Sequence, residues 1–222
     1  MSFSLEYLSK CLLSGIKYIY VTLELSVVTI SIGLVLGLLI AILRIFKVPV
    51  VHKILGVFVS VYAGIPVMVS MLIYNLIYLL FCKPVPNGAF IVACFTLTLG
   101  HTVTYSESIR GAFLSVPKGQ YEASYACGLS IPKALQRIII PQVIPIALPS
   151  LTNNIIGSVK NTSIVLVLGI VDILNGSIIP CAETYSFVEG YVAAAIIYWI
   201  LSATVEFLLH RFNHLFMKGE RI

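Results

Sequence analysis

The stretch YEASYACGLSIPKALQRIIIP, residues 121–141, is the one long polar island between apolar runs of membrane length. Pro117 stands ahead of it, Gly128 lies within it, and Ser130-Ile131-Pro132 follows directly. Glycine closes a helix because it accepts the left-handed conformation, and a serine with a proline in the next turn opens one. The segment therefore predicts two short helices joined by a tight turn. A minimal connection between spans would be shorter. A helix pair held at the membrane surface instead predicts docking to a soluble partner.

Composition sets the surroundings of that island. Charged residues make up 10% of the 222-residue chain, against about 25% in soluble domains, and the mean hydropathy is +1.03. A water-soluble globular fold is excluded, and lipid is the medium. A spanning helix needs about 20 predominantly apolar residues, and the chain offers five such runs, at 18–43, 54–82, 89–113, 142–170 and 189–210. The fold class predicted is an all-α integral membrane protein of about five transmembrane helices. No internal repeat or low-complexity tract divides it, so residues 1–222 read as one domain.

The charges give the topology. Arg44, Lys47 and Lys53, then Arg110, Lys118, Lys133 and Arg137, then Arg211, Lys218 and Arg221 follow spans one, three and five. The opposite side holds Lys10, Lys17 and Lys83 with Glu6, Asp172, Glu183 and Glu189. Basic residues collect on the cytoplasmic side. The N-terminus is therefore predicted outside, the C-terminus inside, and residues 114–141 in the cytosol. This distribution accounts for the net charge of +5 without nucleic acid as a partner. Span one is too long for a signal core and no A-x-A-like site follows it, so it is expected to stay as the first helix.

Smaller features follow along the chain. The first 17 residues read as a short surface helix, with Phe3, Leu5, Leu8, Leu12 and Leu13 set against Glu6, Ser9 and Lys10. Gly33-x-x-x-Gly37 in span one has the spacing that lets helix backbones approach closely, and the plain reading is packing within the chain. Gly64-Ile65-Pro66 interrupts span two, where proline removes a helix hydrogen bond. Residues 54–63 then read as a separate surface helix, with the crossing starting near Ile65. Lys83 to Gly88 is an external turn.

Candidate site residues fall in two spans. Glu107 and Arg110, three apart near the cytosolic end of span three, are placed to pair on one helix face. Span four is the least oily. On a wheel of about 100° per residue, Asn153, Asn154, Gly157, Ser158, Lys160 and Asn161 share one arc, with Ile155, Ile156 and Val159 opposite. A lysine at the bilayer centre costs ~2.5–3.5 kcal/mol, so such a stripe must face protein or a water-filled cavity. Two readings stay open: a wall of a translocation path, or polar contact between helices with no solute. Pro145 and Pro149 predict a kink towards the cytosolic end of the span.

Several chemistries lack their residues. No GxxxxGK[ST] phosphate loop occurs, so ATP is not bound by that route, and no HExxH or GxSxG is present. His52, His101, His210 and His214 are scattered, and His101 reads as a packed intramembrane histidine. Glu24, buried by its position in span one, and Asp172 form no evident pair. The five cysteines show no CxxC spacing, which argues against a metal site. Cys94 and Cys127 read as reduced small hydrophobes. Cys82 and Cys181 can both face outward, and a disulfide between them is left open.

Taken in order, several blocks resemble one family. They are Thr22-Leu23-Glu24-Leu25-Ser26, Gly64-Ile65-Pro66, and Glu107 through Ala112; then Val116 through Ser124, on by Gly128 to Pro141-Gln142; then Leu148-Pro149, Asn153, and Lys160-Asn161-Thr162-Ser163. The chain is similar over nearly its full length to transmembrane permease subunits of polar amino-acid ABC importers, the histidine, glutamine, glutamate, arginine and cystine type. The stretch around Glu122 resembles that family's coupling motif, Glu-Ala-Ala with a glycine six residues after the glutamate. Ser124 stands where the second alanine is usual. Ala63 stands where arginine is frequent, and Thr104 where an aromatic is.

The resemblance implies the type I ABC importer permease fold in a bacterial cytoplasmic (inner) membrane. Segment 114–141 would carry coupling helices, with Gln120, Glu122, Ala123, Gly128 and Pro132 meeting a cytosolic ABC ATPase dimer. ATP and magnesium would belong to that partner, and this chain would be no enzyme. A second permease subunit, identical or related, would complete the path, with Asn153, Asn154, Gly157, Lys160, Asn161, Thr162 and Ser163 along it. An extracellular or periplasmic binding protein would deliver the amino acid. The rival class is an ion-driven secondary carrier using Glu24, Glu107 or His101 as ion sites, though such carriers show inverted repeats and none is seen.

Overall fold

Lipid supplies no hydrogen bonds to a backbone, so a chain this apolar must satisfy its peptide groups within helices or a closed barrel. The computed structural model describes residues 3–182 and 185–219, and these contain helices and no strands. The order is α1 (Leu5–Ile16), α2 (Ile19–Ile45), α3 (Val51–Ala63), α4 (Val67–Phe81), α5 (Gly88–Ser115), α6 (Lys118–Ala126), α7 (Ile131–Ala134), α8 (Ile140–Asn161), α9 (Ile173–Ile178) and α10 (Phe187–Gly219). A π-helical stretch, Leu135–Ile139, joins α7 to α8, and 3-10 turns follow α8 and α9 at Thr162–Leu168 and Ile179–Ala182.

Among the described residues, α2, α5, the run Ile131–Leu168 and α10 are each long and apolar enough to cross a membrane, and α3 with α4, bent by 104° at the break between them, brings the number to five when the pair is taken as one span. The five predicted runs coincide with these elements. The break falls at Gly64-Ile65-Pro66, where Ile65 N–H still reaches back to the Tyr62 carbonyl and the Pro66 carbonyl already accepts from Val69 and Ser70. Pro66 has no N–H to continue α3, so the chain restarts in a new direction. With 15 residues, α4 is about 22 Å long, short of a hydrocarbon core of about 30 Å.

The tightest seam joins α2 to α5. The buried face of α2 is Thr22, Leu25, Ser26, Thr29, Gly33, Gly37 and Ala41; apart from Leu25 these are small residues, three or four positions apart. A Cβ on Gly33 would come 2.8 Å from His101 Cβ, and one on Gly37 would come 3.0 Å from both the Thr102 carbonyl and Tyr105 Cβ. The two glycines thus serve packing inside the chain. The seam's hydroxyls bond to their own helices: Ser26 donates to the Thr22 carbonyl and Thr29 to that of Leu25, each at 2.7 Å, and Thr96 to that of Val92 at 2.8 Å.

The polar island differs from its sequence reading in one respect. α6 is a separate helix, but α7 is the first turn of the rod that becomes span four, not a second short helix. The reason is Pro141. In an α-helix its ring would clash with the carbonyl four residues back, and the preceding stretch widens to π geometry, with Ile140 N–H bonding to the Leu135 carbonyl. The helix absorbs the proline without stopping.

On the outer side, α1 is more than a surface helix. It buries Cys11 and Gly15 against α9 and α10 while Leu5 and Leu13 stay exposed. Asp172, counted above among the outer charges, is fully buried. It caps α9 by accepting from Asn175 N–H at 3.0 Å and takes a 2.6 Å bond from the Tyr198 hydroxyl of α10. Burial raises its carboxyl above the usual aspartate value, and those two donors offset part of the rise. Cys181 is buried beside Cys11, whereas Cys82 is exposed at the end of α4. The Cys82–Cys181 pairing left open by the sequence is therefore not the one the fold presents. Glu24 is also exposed, on α2, rather than buried.

Gly33→Leu is expected to overpack the α2–α5 seam and cost about 1–3 kcal/mol. Gly56→Ala, where a Cβ meets nothing within 4 Å, should be neutral or slightly stabilising. Thermal unfolding of the purified variants in detergent checks the contrast.

Candidate functional site

A cavity of about 440 Å³ opens where the broken span meets α5 and α8. Tyr62 and Ala63 reach it from the end of α3, and Ile65 and Val67 from the break. His101, Thr104, Glu107 and Ser108 come from α5, and Asn154 and Asn161 from α8. The wall combines apolar surface with convergent hydroxyl, amide and imidazole groups, the usual make-up of a small-solute site. His101 is buried, and neither ring nitrogen has a hydrogen-bond partner of good geometry among the described residues.

Glu107 is the sole acidic side chain in that wall, and it is not free. Arg110 donates to one carboxylate oxygen, Nη2 at 2.7 Å and Nε at 3.2 Å, and Arg44 at the end of α2 pairs with the other. The Arg44 side chain is 16% exposed. A second cavity of about 380 Å³, lined by Arg44, Ser60, Ala63, Glu107 and Arg110, meets the first at Ala63 and Glu107. The sequence pairs Glu107 with Arg110 because they are neighbours on one helix. Arg44 was read there only as a marker of the inner side, since a partner 63 residues away leaves no local signal.

The span-four residues divide. Asn154 faces the first cavity and donates to Ser108 Oγ at 2.7 Å, and Ser150 bonds to the same oxygen at 3.0 Å. Asn161 reaches the cavity rim. Asn153 and Lys160 are exposed on the outside of the single chain, beyond the lining of that cavity. Gly157 leaves open space, with nothing within 4 Å of a built Cβ. Ser163 turns back to the Lys160 carbonyl at 2.9 Å. Thr162 is fully buried, donating to the Val159 carbonyl at 2.8 Å and lying 3.4 Å from the Tyr198 hydroxyl. It belongs to the helix packing and does not border the cavity. Tyr62, Thr104 and Ser108 were not picked out from the sequence as site residues. Tyr62 gave no signal beyond its place in span two, Ser108 lay within the resembling block Glu107–Ala112 and Thr104 stood out as a departure from the family pattern, and the fold gathers all three.

At the opposite end, α6 presents Gln120, Glu122 and Ala123 to solvent, while Ser124 is buried. Serine in place of alanine is satisfied locally, donating to the Gln120 carbonyl at 2.6 Å. Gly128 has φ +74. Gly128 N–H bonds to the Tyr125 carbonyl at 2.9 Å and Leu129 N–H to that of Ser124 at 3.1 Å, the paired bonds of a left-handed helix stop. Pro132 is exposed in the first turn of α7. Tyr121 and Leu135 pack on a cluster of Ala112, Val116, Ile139 and Val143, which fastens the segment to α5 and α8. Burial there raises the Tyr121 hydroxyl, with Tyr125 adding to it. Among the described residues no group of three His, Cys, Asp or Glu side chains is disposed to hold a metal ion.

A polar cavity within the bundle and an exposed helix at its inner end thus occur together in one membrane protein. Residues 33–217 match the family described as the binding-protein-dependent transport system inner membrane component, and the chain belongs to that family. It is 32% identical over 200 residues to a probable amino-acid ABC transporter permease protein, PatM, of Vibrio harveyi, covering 90% of each chain. It is 33% identical to the L-cystine transport system permease protein TcyL of Bacillus subtilis, covering 85% of this chain and 81% of that one. Among solved structures, an amino acid ABC transporter crystallised with histidines superposes with a TM-score of 0.85 at 28% identity, covering 96% of this chain and 99% of that one. The inward-facing MetNI methionine ABC transporter shares the fold, with a TM-score of 0.74 at 17% identity over 91% and 95% of the two chains. The fold is that of a type I ABC importer permease, and the ion-driven carrier does not stand.

Removing Arg44 leaves Glu107 with one partner in a half-buried setting. Arg44→Gln is expected to cost about 1–3 kcal/mol. Arg110→Gln should cost less, because Arg110 is 33% exposed against 16% for Arg44. A double-mutant cycle with Glu107→Gln, read by detergent melting, checks the order.

Proposed function

We propose that this chain is the permease subunit of an ATP-driven importer that carries a polar amino acid, or a close derivative such as cystine, across the bacterial cytoplasmic membrane. The observation that carries the reading is the pairing of a polar cavity at the broken span with an exposed coupling surface on α6, in a chain whose relatives are named as amino-acid ABC permeases. Hydrolysis belongs to a separate cytosolic ABC ATPase dimer, which holds the ATP and magnesium. A second permease subunit, copied or related, faces the exposed side of α8 that carries Asn153 and Lys160, and an external binding protein supplies the solute.

In this reading Gln120, Glu122, Ala123, Gly128 and Pro132 form the contact to the ATPase, and Asn154 and Asn161 line the route with His101 and Tyr62. Arg44, Glu107 and Arg110 brace the inner end of the route as one ion-paired group with a net charge of +1, in which the carboxylate is held by both arginines. The complex of permease, ATPase and binding protein in proteoliposomes tests the assignment. ATPase activity stimulated by loaded binding protein, with accumulation against a gradient, is the expected result. Uptake by this chain alone on an ion gradient would overturn it.

Two variants probe the two ends. At Gly128 a Cβ meets nothing within 4 Å, so Gly128→Arg carries only the roughly 1–2 kcal/mol cost of a left-handed residue. It should insert and fold while uptake falls to background and ATP hydrolysis no longer follows the solute. Lys160→Ala should lower the uptake rate with ATPase docking retained, measured as co-purification of the ATPase.

A further inference from the structure

Cys11 of α1 and Cys181 of the 3-10 turn after α9 lie 170 positions apart in sequence with their sulfurs 3.6 Å apart. Both are fully buried, in a small cluster with Ala193, Leu8, Leu12 and Ile178. Cys181 is held from a third side by α10, where a Cβ on Gly190 would come 2.6 Å from its sulfur. A disulfide bond is about 2.05 Å long, so the two sulfurs are within about 1.5 Å of bonding distance. The distribution of basic residues puts α1 and the α9 turn outside the cytoplasm, the compartment in which disulfides form and persist. The other cysteines are arranged otherwise: Cys82 and Cys127 are exposed and Cys94 sits within α5.

We propose that Cys11 and Cys181 are joined by a disulfide in the membrane-inserted protein, fastening the N-terminal helix to the α9–α10 outer layer. The oxidant is an extracytoplasmic disulfide, carried by an oxidoreductase or a small molecule. One cysteine, as thiolate, attacks a sulfur of that disulfide and releases the first thiol. The second cysteine then displaces the mixed disulfide. The Cys11–Cys181 bond forms, and two protons and two electrons leave on the carrier, which departs as two thiols. In the docked state burial pushes the Cys11 thiol up to about 12, with Cys181 beside it adding to the shift. A thiol so rarely ionised is a poor nucleophile. Both cysteines are also fully buried once docked, out of reach of an external carrier, so the bond closes while α1 is settling onto the bundle, before the pair is sealed from solvent.

The test is thiol counting on the full chain in bacterial membranes. Cells are quenched in acid, the protein is denatured, and it is alkylated with a maleimide of large mass, with or without prior reduction. Three of the five cysteines are expected to react without reductant and all five after it, with the unreduced chain migrating as a monomer. Cys11→Ser or Cys181→Ser should leave all four remaining thiols reactive without reductant, while Cys82→Ser should still conceal two. Five reactive thiols in the unreduced chain, a reducible dimer, or full exposure caused by Cys82→Ser would each overturn the proposal. Because labelling is done on denatured protein, a variant that packs poorly still reports. The outcome depends on the external position of α1 and not on the transported solute.

Discussion

Helices in lipid gain little from burying apolar surface against one another, because the tails around them are equally apolar. Close backbone approach and internal bonding hold them instead. In this chain that constraint is met at Gly33 and Gly37, which let α2 lie against His101, Thr102 and Tyr105 of α5. The matched order of contacts, Gly33 with His101 and Gly37 with Tyr105, shows that the two helices run parallel. Their register has consequences at both ends. Side chains on a helix tilt towards its N-terminus, so Arg44 reaches back to Glu107. At the outer end Thr22 of the same α2 face accepts from Ile173 N–H, 3.4 Å away, next to buried Asp172.

The cavity is a by-product of the same seam combined with the broken span. α3 and α4 cannot fill the space beside α5, because the chain turns by 104° at Pro66. α8 closes the gap from the other side through Asn154 and Ser108. Tyr105, fully buried, ties these layers together by a 2.8 Å bond to Ser158, and Ser158 donates to the Asn154 carbonyl at 2.8 Å. One hydrogen-bonded chain thus runs from the core of the seam to the cavity wall.

What could be read from the sequence were features with short-range causes. Apolar runs gave the spans, Gly64-Ile65-Pro66 gave the break, Gly128 gave the end of α6, and the three-residue spacing gave Glu107 with Arg110. What escaped were contacts between distant positions. Arg44 looked like a topology marker, and Asp172 was placed only among the outer-side charges, with no partner. Thr162 looked like part of a path because it follows Lys160 and Asn161, yet one step along the chain turns it into the core. Cys11 drew no pairing at all. The second short helix was inferred from Ser130 and Pro132, which do open a helix; the sequence does not announce that a π-helical stretch carries it past Pro141.

The joining of α7 to α8 makes a lever. The rod from Ile131 to Leu168 has 38 residues, about 57 Å at helical rise, nearly twice a hydrocarbon core of about 30 Å. Its inner arm is clamped to α6 through Leu135 and Tyr121, and its outer arm carries Asn154 and Asn161. In the proposed importer, torque applied where α6 is exposed would pass along this continuous rod to the wall of the cavity. Pro145 and Pro149 lie between the two arms, within α8, where each removes a helix hydrogen bond, so the rod would yield there by bending and not by sliding as a whole.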